Sequence, residues 1–330
     1  MNNTSPLPFK TSFTNLMGCD FPIIAAPMFL VSNEAMVTEA SNAGGVGAAP
    51  SLNWRSTEQF GAALDKIRAG TNRPYGVNLI VNKSNLRAEQ DLETIRQHQV
   101  PMVITSLGNP KAVIEAVHSY GGKVFCDVVD LKYAQKVQDL GADGVIAVSS
   151  GAGGHAGPVS PMVLIPYLKQ HLKIPVVAAG GIATGKQILA AIILGADAVQ
   201  IGTRFIATAE AGVSQDYKNA VLKAEPEDIV LTKRISGTPA AVINTPFIQK
   251  MGLELPPIEA FLRKHPLTAK YAKLLRYMQG TKSLEAAAQS VTWKTVWSAG
   301  QGVGLIHDIR PTADVMRQLM TEFWEARNAV

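Results

Sequence analysis

A chain of 330 residues, 47% hydrophobic and 17% charged, can bury one large α/β barrel or two ordinary domains, and this composition argues against disorder. The net charge of +5 comes without a Lys/Arg run, which argues against nucleic acid as a partner and leaves a mild pull on small anions. Two cysteines, Cys19 and Cys126, fall short of a disulfide framework or a metal-binding cysteine pair and read as buried free thiols of a reducing cytosol.

No apolar run approaches the ~20 residues needed to span a bilayer. The opening Met-Asn-Asn-Thr-Ser-Pro lacks the basic and apolar regions of a signal peptide, so a cytoplasmic protein without membrane attachment is expected.

In chain order, Phe21–Met28 predicts a short buried strand ending at Pro27. Ser32 or Asn33 can cap a helix through Ala43, stopped by Gly44-Gly45. Val46-Gly-Ala-Ala predicts a second strand, and Ser56 caps a helix through Ala69. Pro74–Ile80 predicts the third strand, with Asn78 near its carboxyl end, and a helix follows over Leu86–His98. Pro101–Ser106 and Lys123–Val128 are the fourth and fifth strands, with helices over Pro110–Tyr120 and from after Val128 to Leu140. Three apolar runs complete the set: Gly144–Val148, Ile174–Ala179 and Ala196–Ile201, each ending in a glycine loop.

Strand starts recur roughly every 21 to 31 residues, the βα repeat of a (β/α)8 TIM barrel. The runs are almost continuously apolar, as strands covered on both faces should be. A doubly wound open sheet would look similar locally, but eight units fit a barrel and no GxGxxG follows the first strand. Residues 214–288 are richer in Lys, Glu and Pro, with helical patches at Pro257–Lys264 and Leu267–Gln279, and predict a mostly helical insertion that caps the barrel mouth. The expected division is a barrel of 1–213 and 289–330 with an insertion of 214–288, the helix Thr312–Ala329 closing the barrel.

The loops after strands six to eight carry the candidate site, because ligands of parallel α/β folds sit at the carboxyl ends of the strands. Gly180-Gly181 and Gly202-Thr203 each precede a helical run, and glycine turns at helix starts let a phosphate approach backbone N–H groups. Such glycines can also serve only tight turns. His155, in Gly151-Ala-Gly-Gly-His-Ala-Gly157, is the titratable side chain of its loop and suits a base or a local positive charge. Asn78 can donate and accept, which suits a flavin ring edge or a phosphate, or it simply forms a turn. Asp127, acidic at a strand end, is either a functional carboxylate or the cap of the next helix. Three glycines within Gly300–Gly304, close to Trp297, suit a loop lying against a flat ligand. No Ser/His/Asp order, HExxH or Walker loop is present, and no metal site is expected.

Six segments in order carry a resemblance: Pro22–Met28, Gly76-Val-Asn-Leu79, Ala152–Gly157, Ala178–Ile182, Gln200–Phe205 and Ser298–Gly302. The chain resembles the nitronate monooxygenase (2-nitropropane dioxygenase) family of FMN barrels over nearly its whole length. That group also holds flavin-dependent enoyl-ACP reductases and an NADH:quinone reductase. The resemblance implies that Ala26, Pro27 and Met28 line the flavin ring and that Asn78 contacts the flavin or its phosphate. It implies that Gly153 and Gly154 lie beside the ring, with His155 over its reactive face. Gly180, Gly181, Gly202 and Thr203 would hold the phosphate, with Ala179 and Gln301 as further cofactor contacts. Some members carry Lys where this chain has Asp127, and an anion there opposes the reduced flavin anion that a cation favours.

The activity implied is FMN-dependent oxidation of alkyl nitronates by O2 to a carbonyl compound and nitrite, with His155 positioning the anionic substrate and serving as base toward a neutral nitroalkane. The other reading is an NAD(P)H-dependent FMN reductase acting on a quinone or an enoyl thioester. The expected partners are a small anionic substrate and O2, and the chain admits a homodimer.

Overall fold

The computed structural model describes residues 6–82, 85–235, 238–255 and 296–330. Eight parallel strands alternate with helices in the order β1 (Ile23–Ala25), α2 (Glu34–Asn42), β2 (Val46–Pro50), α3 (Thr57–Gly70), β3 (Tyr75–Ile80), α4 (Ala88–Gln97), β4 (Met102–Ser106) and α5 (Lys111–His118). They continue as β5 (Lys123–Val128), α6 (Leu131–Asp139), β6 (Gly144–Val148), α7 (Pro161–His171), β7 (Val176–Ala179), α8 (Gly185–Ile193) and β8 (Ala198–Ile201). A short helix α1 (Ser12–Met17) precedes β1. The sheet closes when β8 pairs with β1, Ile24 opposite Gln200, giving the (β/α)8 barrel expected from the repeat.

The strands are buried almost throughout, which is why their sequences lack strict alternation. One apolar cluster fills the barrel itself, with Ile24, Val46, Met102, Ile104, Phe125, Ile146, Val177 and Ala198 pointing inward. Phe13 of α1 enters the same cluster and meets Phe125 edge-on, with ring centroids 5.5 Å apart. α1 is held there by a capping box at Thr11 and by Ser12 donating to Asp197, just before β8. Asp197 also accepts from the β7 amide Val176 N and from Lys169 Nζ. The amino-terminal end of the barrel is thereby plugged, and the open mouth is at the carboxyl ends of the strands.

After β8 come α9 (Thr203–Ile206), α10 (Gln215–Lys223), an antiparallel pair β9 (Ile229–Thr232) and β10 (Ala240–Ile243), and α11 (Pro246–Met251). Sequence reading of this segment finds helices and misses the strand pair. β9 and β10 are four residues each and gain their pairing partner from each other rather than from the barrel. The expected helical patches at 257–264 and 267–279 lie outside the described residues. The chain returns as α12 (Thr312–Asn328), which packs against α8 and α2 as the helix of the eighth unit. Gly185 makes this docking close: a Cβ there would stand 2.3 Å from the backbone of Leu319 and of Phe323.

Candidate active site at the barrel mouth

Side chains alternate along a strand, so parity decides which residues face the mouth. One step beyond the interior cluster, toward the carboxyl ends, the inward positions are Ala26, Asn78, Ser106, Asp127, Val148, Ala179 and Gln200. The floor is therefore polar along β3, β4 and β5 and apolar along β6, β7 and β1.

The polar arc is connected. Asn78 Nδ2 donates to Ile104 O at 3.2 Å and to Ser106 Oγ at 2.7 Å, and Ser106 Oγ donates to Asp127 Oδ2 at 2.5 Å. Asp127 is not the cap of the following helix; Asp130 is, accepting from Tyr133 N. Burial raises the Asp127 carboxyl from its ordinary 3.8 to about 6, against the opposing effect of the Ser106 hydrogen bond. The neighbouring thiol of Cys126 is pushed by burial to about 11 and that of Cys19 to about 12, so neither is a nucleophile.

Across the barrel lie the glycine turns. Gly181 has φ +71°, a left-handed conformation that favours glycine, and a Cβ there would meet nothing within 4 Å. A Cβ on Gly202 would make only ordinary contact with Met28 Sδ at 3.5 Å and Ala26 Cβ at 3.7 Å. Gly181 thus faces open space, while Gly202 faces Ala26 and Met28 at ordinary contact distance. Among the described residues, no protein acceptor takes the N–H groups of Gly181 and Ile182. The start of α8 contributes less than its sequence position suggests. Its first N–H, at Gly185, donates to Glu322 of α12, and Ala183 N and Thr184 N donate to Gln187.

A cleft of about 460 Å³ opens here, lined by Ser150, Gly151, Gly180, Gly181, Gln187, Gln301, Gly302 and Leu305, with Glu225 as its carboxylate. Its volume lies within the ~300–1,000 Å³ of small-molecule sites. Gln301 is tied in by its N–H to Gly151 O at 3.0 Å, and Thr203 Oγ1 accepts from Gly300 N at 2.9 Å. The segment 297–301 is clamped from outside: Trp297 stacks on Tyr217, centroids 5.5 Å apart, and the Tyr217 hydroxyl donates to Ser298 O.

His155 follows Gly154, which forms an antiparallel bridge with Ala241 of β10: Gly154 N donates to Ala241 O at 3.0 Å and Ala241 N to Gly154 O at 2.7 Å. The insertion therefore meets the barrel on its carboxyl-terminal face and holds the loop that carries His155. His155 is an exposed residue, yet desolvation by the surrounding protein lowers its pKa below the ordinary 6.5. Gly153 is turned the other way, its vacant Cβ position abutting Ala299 and Gly300.

The structure thus gathers Ala26, Met28, Ala179, Gly180, Gly181, Gly202, Thr203 and Gln301 on one side of the mouth. Asn78 stands on β3, four strands from β7 in a closed ring of eight and so opposite it. Sequence reading places Ser106 only at the end of the fourth strand and gives Gln200 no role of its own. Gln200 Oε1 is buried without a hydrogen-bond partner among the described residues. The available signal was a polar residue interrupting an apolar strand at inward parity.

Residues 10–91 and 85–322 match the family described as nitronate monooxygenase. The chain belongs to the nitronate monooxygenase family. It is accordingly a flavin-dependent oxidoreductase. A probable nitronate monooxygenase of Staphylococcus saprophyticus is 29% identical, covering 90% of this chain and 93% of the relative. A (3aS,4S,5R,7aS)-5-hydroxy-7a-methyl-1-oxo-octahydro-1H-indene-4-carboxyl-CoA dehydrogenase of Rhodococcus jostii is 31% identical over 73% of this chain and 68% of its own. Among solved structures, FabK of Thermotoga maritima superposes with a TM-score of 0.82 at 31% identity, over 97% of this chain and 98% of its own. A nitroalkane oxidase of Streptomyces ansochromogenes superposes with a TM-score of 0.81 at 25% identity, over 97% and 100%.

Proposed function

We propose that this protein is a cytoplasmic FMN enzyme that oxidises alkyl nitronates with O2 to a carbonyl compound and nitrite. The observation that carries the FMN reading is the turn at Gly181, whose Cβ position is open and which leaves the N–H groups of Gly181 and Ile182 available to an anion, with Gly202 packed beside Ala26 and Met28 in the next loop. Ala179, Gly180, Gly181, Gly202, Thr203 and Gln301 would hold the phosphate end. Ala26, Pro27, Met28, Gly153 and Gly154 would lie along the ring, with Asn78 at its far edge. FMN, when bound, supplies the electron acceptance and O2 chemistry of the reaction.

The protein supplies binding and orientation. His155 would hold the anionic substrate over the mouth by hydrogen bonding. Its lowered pKa keeps the imidazole neutral at physiological pH, the form that can remove the α-proton of a neutral nitroalkane. Residues 214–288, as a cap, would position the His155 loop through Ala241 and exclude water.

A second reading, an NAD(P)H-dependent FMN reductase of a quinone or an enoyl thioester, is favoured by Asp127. An ionisable carboxyl on the floor of the mouth opposes an anionic substrate, and the 31% identity to FabK points the same way. Anaerobic mixing separates the two. Nitronate turnover under air, with no bleaching by NADPH or NADH, supports the oxidase. Rapid bleaching by reduced nicotinamide without nitronate oxidation would replace it by the reductase.

A further inference from the structure

The hydrogen-bond directions around Asp127 are determined by its neighbours. Ile104 O can only accept, so the Asn78 group beside it is the donating amide nitrogen. That same nitrogen donates to Ser106 Oγ, so the single Ser106 hydrogen goes to Asp127 Oδ2. Oδ2 is thus an acceptor in either protonation state. A proton carried by Asp127 must sit on Oδ1, which is buried and has no hydrogen-bond partner among the described residues, on a residue that occupies an inward position of β5. A buried polar atom left without a partner is costly unless a ligand completes it.

We propose that Asp127 is a specificity-determining residue of the mouth: its neutral carboxyl donates a hydrogen bond through Oδ1 to the bound ligand, and its ionised form rejects an anion at that place. Asn78 and Ser106 are positioning residues that orient it. The inference rests on the mouth being the flavin and substrate site. The titratable neighbours are few. Cys126 precedes it on β5, Tyr133 of α6 donates its hydroxyl to Gly108 O, and β3 and β4 present the uncharged Asn78 and Ser106. From the β6 loop, His155 serves the same mouth and loses its charge as pH rises, which also weakens anion binding. Burial places the Asp127 titration near 6, inside the physiological range.

Asp127→Asn separates the two groups. Its amide oxygen takes the Ser106 hydrogen bond and its nitrogen reproduces the Oδ1 donor, so it is a permanent copy of the neutral acid, with His155 intact. The probe is propionate, an unreactive anion shaped like a short nitronate, titrated calorimetrically from about pH 5 to about pH 8. Wild-type binding should weaken roughly tenfold or more across this range as the carboxylate forms. Asp127→Asn should show only the smaller decline that His155 contributes, and Asp127→Val should be weak throughout.

Infrared difference spectra over the same range should show a protonated-carboxyl band that is absent in Asp127→Asn and persists to higher pH in Ser106→Ala, which loses the hydrogen bond to Oδ2. A wild-type pH profile retained in Asp127→Asn, or no band lost, overturns the inference. Flavin released from each protein keeps the two failures apart. Protein without flavin refutes the reading of the mouth, while flavin-loaded protein lacking the Asp127 band refutes only the role of Asp127.

Discussion

Gly202→Val tests the phosphate turn with little confounding from folding. Gly202 has φ −103°, so no left-handed strain arises on adding a side chain, unlike at Gly181. Its Cβ would make ordinary contacts at 3.5 Å or more, so the barrel should fold with stability within about 0.5–1 kcal/mol of wild type. A bound phosphate needs the space that the valine methyl groups would fill. Hydrogen bonds from N–H groups to a charged acceptor are worth about 1.5–3 kcal/mol each. Displacing the phosphate from two of them would cost about 3–6 kcal/mol, or roughly a hundredfold to ten-thousandfold in affinity. The assay is to denature purified protein, chromatograph the released flavin, and titrate FMN back into protein stripped of it. The variant should emerge as apoprotein with a native melting transition. Full loading with unchanged affinity would refute the phosphate site at this turn, and stoichiometric FAD from wild type would refute FMN.

His155→Asn should slow nitronate oxidation modestly but turnover of the neutral nitroalkane by ~10²–10⁴, the usual worth of general-base help; equal losses on both would remove the base role. Since the lowered His155 pKa keeps the base neutral, wild-type activity on nitroalkane should hold below pH 6.5 and fall only at lower pH, as a pH–rate profile would show. Ala241→Pro deletes the 2.7 Å donation to Gly154 O and should impair catalysis while circular dichroism of the barrel stays native. The buried thiols of Cys19 and Cys126 should resist alkylation in native protein near pH 8 and react after denaturation, counted by mass spectrometry. Asp127 retains its proton in the folded protein up to about 6 but loses it at 3.8 in the unfolded chain, so stability falls as pH rises through that window. By urea melts, Asp127→Asn should therefore gain up to about 3 kcal/mol on wild type above that window.

Much of the architecture is local information. Eight apolar runs, with glycines and capping residues such as Asn33, Ser56 or Thr184 between them, encode strand and helix preferences within short stretches of chain. The even spacing of those units selects a barrel, and the glycine turns after β7 and β8 fall at the carboxyl ends of its strands. The placement of α12 was legible too, because β8 lacks a long helix immediately after it and Thr312–Asn328 is amphipathic.

What the tertiary structure alone decided is which side chains meet. Asn78, Ser106 and Asp127 are separated by 28 and 21 residues, and only the register of β3, β4 and β5 aligns them as one chain of hydrogen bonds. The β9–β10 pair was invisible because its stabilisation comes from cross-strand pairing and from Gly154 on a distant loop. The donors at α8 were misjudged from sequence because Glu322, 137 residues away from Gly185, occupies the first of them. Composition and periodicity report a residue's preference for its own backbone state. Hydrogen-bond partners across strands depend on register and closure, which exist only once the barrel has formed.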